Sequence, residues 1–152
     1  MDTSCRLWYN FFRKEVTMTI QLSTPVRNAR LDAIATAVGT SAQLIIYTGT
    51  QPASCAEAAT GTVLATMELP SSWMLAAASG SKSKTGTWTD LSADATGTAG
   101  YFRIYDSLLT TCGIQGAITV TGGAGDMTLD NISIVEGQTI TISSFVLTDG
   151  NA

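Results

Sequence analysis

The chain contains no histidine at all. Histidine titrates closest to neutrality and is the commonest transition-metal ligand. Its absence excludes serine–histidine–acid catalysis, leaves a cysteine nucleophile without its usual imidazole partner, and argues against a transition-metal site. Charge is scarce as well. Asp, Glu, Lys and Arg make up 13% of the 152 residues, about half the usual quarter. The eight basic residues never gather into the stripe that tracks a phosphate backbone, so nucleic acid is not an expected partner. No apolar run approaches the roughly 18–20 residues that span a bilayer, so neither is a membrane. The three cysteines, Cys5, Cys55 and Cys112, lack CxxC spacing and form no zinc pattern. Cys55 and Cys112 can pair if the fold brings them close; buried free thiols are the reading preferred from sequence alone.

Thr, Ser, Ala and Gly fill the space that charge leaves. Hydrophobic residues reach 45%, enough for a packed core, and the length suits one domain. Small neutral side chains lose little rotamer entropy when immobilised. Such a surface suits a protein that lies against neighbours, and equally a Thr-rich β-sandwich.

Residues 1–17 (MDTSCRLWYNFFRKEVT) differ from the rest, holding three of the eight basic residues and two of the four Phe. Arg13 and Lys14 follow the Trp8–Phe12 aromatic cluster, the reverse of a signal peptide's order. Lys14-Glu15-Val16 can be encoded by a purine-rich, ribosome-binding sequence just ahead of the Met18 codon. Met18 is therefore expected to be the true start, and 1–17 a non-native or disordered extension to a single domain, 18–152. From Met18 onward there are five basic and ten acidic residues.

Ser23-Thr24-Pro25 ahead of VRNARLDAIATAV predicts one helix. Thr24 is the expected cap, Pro25 suits the first helical position, and Gly39 is the terminator. Leu31, Ile34 and Val38 would form the apolar stripe, with Arg27, Asn28 and Asp32 facing outward. Downstream, short strands are expected at 44–48, 62–69, 87–91, 100–107, 113–120, 126–130 and 139–147, the last with a β-bulge at Ser143-Ser144. Residues 51–60 read as a loop with a helical turn at 55–59, and 79–86 as a polar loop; 72–78 is ambiguous. In 100–107, Phe102 and Ile104 point one way and Tyr101, Arg103 and Tyr105 the other. The expected fold is mainly β, a β-sandwich or small barrel of about 7–8 strands with one N-terminal α-helix.

No catalytic motif survives its own spacing. Gly80–Gly86 (GSKSKTG) lacks the GxxxxGK[ST] spacing of a phosphate-binding loop. The acidic residues, among them Glu57, Asp90, Asp94 and Asp106, fall in turns or on outward strand positions, where solvated charge is the default. Asp126, Asp130 and Asn131 offer oxygen ligands to calcium, but the same residues are ordinary turn formers. Trp73, Trp88, Tyr101 and Tyr105 could stack on sugars; filling the core or meeting a neighbouring subunit is preferred. An enzyme, a metal and a cofactor are therefore not expected.

The succession LSTPVRNARLDAI (22–34), LIIYTGTQPASCAEAATGTVLA (44–65), LPSSWM (69–74), TAGYFRIYDS (98–107), TTCGIQG (110–116) and DMTLDNISIVEGQTITISSF (126–145) resembles a group of small tailed-bacteriophage and prophage virion proteins. The resemblance runs from Met18 to Ala152. It implies a place in the virion, assembled in the host cytoplasm, with other virion proteins (the major capsid protein, or tail and neck proteins) and copies of the chain itself as partners. A capsid-decorating or head-associated protein is the expected role, with a tail or neck component or a carbohydrate-binding host-attachment module as alternatives. It transfers no catalytic or ligand residues. Under this reading the contact residues are Thr19, Ile20, Gln21, Leu22 and Arg27 at the N-terminal end, where an unpaired strand could join a neighbour's sheet edge, together with outward-facing Tyr101, Arg103 and Tyr105.

Overall fold

The structure, a computed structural model, describes residues 20–150. The extension 1–17, Met18 and Thr19 lie outside the described residues. The chain begins with helix α1 (Thr24–Val38). Pro25 lies in its first turn, and Gly39, at φ 91°, ends it with its N–H on the Ala35 carbonyl. The cap position belongs to Ser23 rather than Thr24, and the Ser23 side chain makes no capping bond.

Ten strands follow among the described residues: β1 (Gln43–Thr48), β2 (Val63–Glu68), β3 (Ser81–Ser83), β4 (Thr89–Asp90), β5 (Gly97–Tyr105), β6 (Cys112–Val120), β7 (Met127–Leu129), β8 (Ser133–Ile134), β9 (Ile140–Thr141) and β10 (Val146–Thr148). The main sheet has the order β2-β1-β5-β6-β7, with β8 on the early end of β5. All its pairs are antiparallel except β6–β7. Two ribbons, β3–β10 and β4–β9, carry the opposing layer. The fold is thus mainly β with one N-terminal helix, as the sequence indicates.

Alternation along β1 and β5 makes the core. Leu44, Ile46, Phe102 and Ile104 turn inward to meet Trp73, Trp88, Ile142 and Phe145 from the second layer. Phe145 is the hinge of this packing, with its ring centroid 5.5 Å from Trp88 and 5.7 Å from Phe102, edge-on to the latter. Both indole N–H groups are satisfied by carbonyls, Trp73 by Gly39 and Trp88 by Thr85.

Three register shifts curl the main sheet, each leaving one residue without a cross-strand partner: Leu64 in β2, Gly100 in β5 and Gly113 in β6. The two glycines are steric requirements. A Cβ on Gly100 would lie 1.8 Å from the Gly49 carbonyl oxygen, and one on Gly113 would lie 2.5 Å from a Val38 methyl of α1.

Four expectations are corrected. Residues 79–86 are not a loop, because Ser81–Ser83 pairs with β10. The final segment is not one bulged strand. Its two halves join different ribbons, so Ile140, Ile142 and Phe145 are all buried while Ser143-Ser144 is exposed. Residues 55–59 form a turn without helix. The helix does not leave Arg27, Asn28 and Asp32 as free outward groups. Asp32 and Asn28 accept from the Ala77 and Gly80 N–H groups and Arg27 donates to the Asp149 carbonyl, although the Asp32 side chain stays about half exposed beside Lys82.

Candidate functional site

Among the described residues, two places bring several polar side chains together. The first lies on the outer face of the main sheet, where Tyr101, Arg103 and Tyr105 alternate out of the core. Segment 51–60 crosses this face as a strap. Arg103 donates from Nη1 to the Glu57 carbonyl at 2.8 Å and from Nη2 to the Ser54 carbonyl at 3.2 Å. Gln115 Nε2 on β6 donates to the Pro52 carbonyl at 2.7 Å. The Tyr101 hydroxyl accepts from the Thr60 N–H and donates to the Thr60 carbonyl. Beneath the strap the Tyr47 and Tyr101 rings stack at 4.9 Å, and Ile45 completes a small second core.

Arg103 is 2% exposed, and strap carbonyls take the place of a carboxylate partner. Burial works to lower its pKa; the hydrogen bond and proximity to the Tyr105 phenol outweigh that, and the net shift is upward. The Tyr47 phenol is pushed well above its ordinary value, chiefly by burial and then by its hydrogen bond with Tyr105. Tyr101 and Arg103, expected on a contact surface, are therefore covered by the chain's own strap, and Tyr105 is half-buried.

The second place joins α1 to β3. Lys82, 4% exposed, donates from Nζ to Asp32 Oδ1 at 2.6 Å and to the Leu75 carbonyl at 2.7 Å. Asp32 Oδ1 also accepts from the Ala77 N–H, and Asn28 Oδ1 from the Gly80 N–H. Arg27 donates to the Asp149 carbonyl. The Lys82 hydrogen bond, followed by that from Ala77, holds the Asp32 carboxyl below its ordinary range. An open groove of about 520 Å³ lies beside this cluster, with Asp32, Thr36, Trp73, Ser72 and Lys82 on its walls. The Lys82 ammonium is engaged on two sides, so it stands here as a tie between helix and ribbon.

The remaining polar candidates serve turns and strand edges. Asp90 accepts from the Thr66 and Ser92 N–H groups, and Asp94 from the Thr66 hydroxyl, which screens the outer edge of β2. Asp106 closes the β5–β6 hairpin through Thr110 and Thr111. Asp126 accepts from the Ala117 N–H and Asp130 from the Thr121 hydroxyl, consistent with the turn reading of those residues. Among the described residues no group of three or more His, Cys, Asp or Glu side chains is arranged to hold a metal ion. Trp73 is 2% exposed and Trp88 0%, so neither indole presents a stacking face to a sugar.

At the N-terminal end, Ile20 is 83% exposed, Gln21 is exposed and Leu22 is half-buried. Among the described residues no helix is long and apolar enough to cross a membrane. No family model, curated protein or solved structure matches the chain.

Sequence reasoning missed Lys82, Asn28, Asp32 and Gln115 as organising residues. The one available signal was the Ser81-Lys82-Ser83-Lys84 alternation, which has strand period but no apolar residue to mark its inner face.

Proposed function

We propose that the chain is a non-enzymatic structural protein of a tailed-bacteriophage particle, most concretely a capsid-decorating or head-associated protein. It would act by packing against the major capsid protein and copies of itself. The observation that carries this reading is the ordered run of sequence segments from Met18 to Ala152 that resembles small virion proteins. The arrangement of polar groups fits the same reading. Arg103, Lys82, Asp32, Asp90 and Asp106 all hold the chain's own backbone, and the surface between them is rich in small neutral residues. A body of this kind gains binding strength from many copies making weak contacts at once. A tail or neck component is the second reading from the same resemblance, and copy number separates the two.

The test is quantitative mass spectrometry of purified particles. Hundreds of copies per particle are expected for a decorating protein. About a dozen would move the chain to a neck ring, and absence from the particle would remove the virion reading.

A further inference from the structure

The Gly113 bulge has a chemical effect as well as a steric one. In β6, Ile114 and Ile118 lie on the inner phase, and an unbroken strand would put Cys112 on that phase with them. The extra residue breaks the alternation. Ile104 faces Ile114, and then Tyr105 faces Cys112 with Gly113 passed over. Tyr105 belongs to the outer face, so the bulge turns Cys112 out of the core and under the strap.

The strap delivers the second thiol. Cys55 lies between Ser54 and Glu57, whose carbonyls are both fixed by Arg103, and Pro52 is fixed by Gln115 of β6. The Cys55 and Cys112 thiols are close enough to act on each other electrostatically, and Cys112 donates to the Ile114 carbonyl at 3.5 Å. Both cysteines are free and half-buried, within reach of a small reagent. Side chains from two strands thus hold two sulfurs together across a long stretch of chain, in a protein otherwise poor in reactive groups.

We propose that Cys55 and Cys112 are a closable thiol pair, which a small disulfide oxidant such as glutathione disulfide converts to an intramolecular disulfide fastening the strap to β6. In the first exchange the Cys55 sulfur attacks one glutathione sulfur, its proton leaves to solvent, and one glutathione thiol is released. In the second, the Cys112 sulfur attacks the Cys55 sulfur of the mixed disulfide, loses its proton and releases the second glutathione thiol. Two thiols and one glutathione disulfide become one protein disulfide and two glutathione thiols. Either thiol can make the first attack in this balance; burial, then the interaction with Cys55, pushes the Cys112 thiol up to about 12.

The bond would close a loop of about 57 residues and restrict the unfolded chain accordingly. The pair stays open under reducing conditions and closes in an oxidising medium. The inference stands on the geometry of the strap and does not depend on the virion reading.

The test uses the full chain, purified reduced and then equilibrated with excess glutathione disulfide. Alkylation and non-reducing peptide mapping follow, with thermal unfolding in parallel. The expected product is a monomer carrying a Cys55–Cys112 linkage, with Tm raised by about 5–15 °C and the rise reversed by dithiothreitol. C55S and C112S are each expected to show no oxidant-dependent rise, and the Tm of each reduced variant reports its folding independently. Any of three outcomes overturns the proposal: both thiols staying open to alkylation after oxidation, capture of either by Cys5 or glutathione alone, or a Cys55–Cys112 bond that leaves Tm unchanged or lower.

Discussion

Lys82 shows how one residue ties two layers of this fold together. Its stem is buried, and its ammonium reaches the Asp32 carboxylate on α1 and the Leu75 carbonyl of the second layer. Because the Asp32 pKa is lowered from 3.8, its carboxylate binds a proton less readily in the folded state than in the unfolded chain. The stability this confers is fully present above the unfolded value, about pH 4, and is lost as pH falls through the depressed folded value. Asp32→Asn is therefore expected to lower Tm at pH 7 and to flatten the acid-side fall in Tm, measured by thermal unfolding between pH 2 and 7. An acid limb as steep as the wild type's would contradict the assignment. Lys82→Ala removes a buried stem and takes the ammonium from both Asp32 and the Leu75 carbonyl, an expected cost of about 2–3 kcal/mol in urea unfolding. Arg103 plays the corresponding part on the other face. Arg103→Met keeps most of the packing volume but strands the Ser54 and Glu57 carbonyls. The expected result is a loss of about 2–3 kcal/mol, with faster proteolytic cleavage within 51–60 than elsewhere.

At the scale of elements, legibility followed hydrophobic period. β1 and β5 were readable because LIIYT and GYFRIY alternate between two faces, and both faces are buried. The helix was readable from Pro25 and Gly39. Its orientation was not, because its inward face is partly polar: Arg27, Asn28 and Asp32 point to backbone groups that the sequence does not reveal as unpaired. β3 was missed for the same reason, since its inner residue is a lysine. In the last segment the apolar positions change from even (Ile140, Ile142) to odd (Phe145, Leu147), which marks a change of ribbon rather than the expected bulge at Ser143-Ser144. The true bulges fall at Leu64, Gly100 and Gly113, two of them at glycines where a neighbouring backbone or side chain comes too close for a Cβ. Gly100→Ala forces a methyl into the Gly49 carbonyl, and the expected destabilisation is about 3 kcal/mol or more by urea unfolding. A variant as stable as the wild type would show that β1 and β5 do not approach as described.

For the whole molecule, the low charge content takes on a structural meaning. Among the described residues the two buried charged ones, Lys82 and Arg103, bind the chain's own carbonyls; Asp32 ties α1 to Lys82, and the other acidic residues described above close turns or screen a strand edge. The candidate site in the sequence, an outward Tyr101–Arg103–Tyr105 stripe, was correctly placed on one face. It was misjudged in exposure, because nothing in residues 51–60 announces that this loop folds back over it. The N-terminal residues Ile20 and Gln21 are exposed, and Thr19 lies outside the described residues. The proposed function makes this body a many-copy component of a phage particle. Absolute quantification of the chain in purified virions tests it most directly. Hundreds of copies per particle are the expected result, and particles that contain none would contradict it.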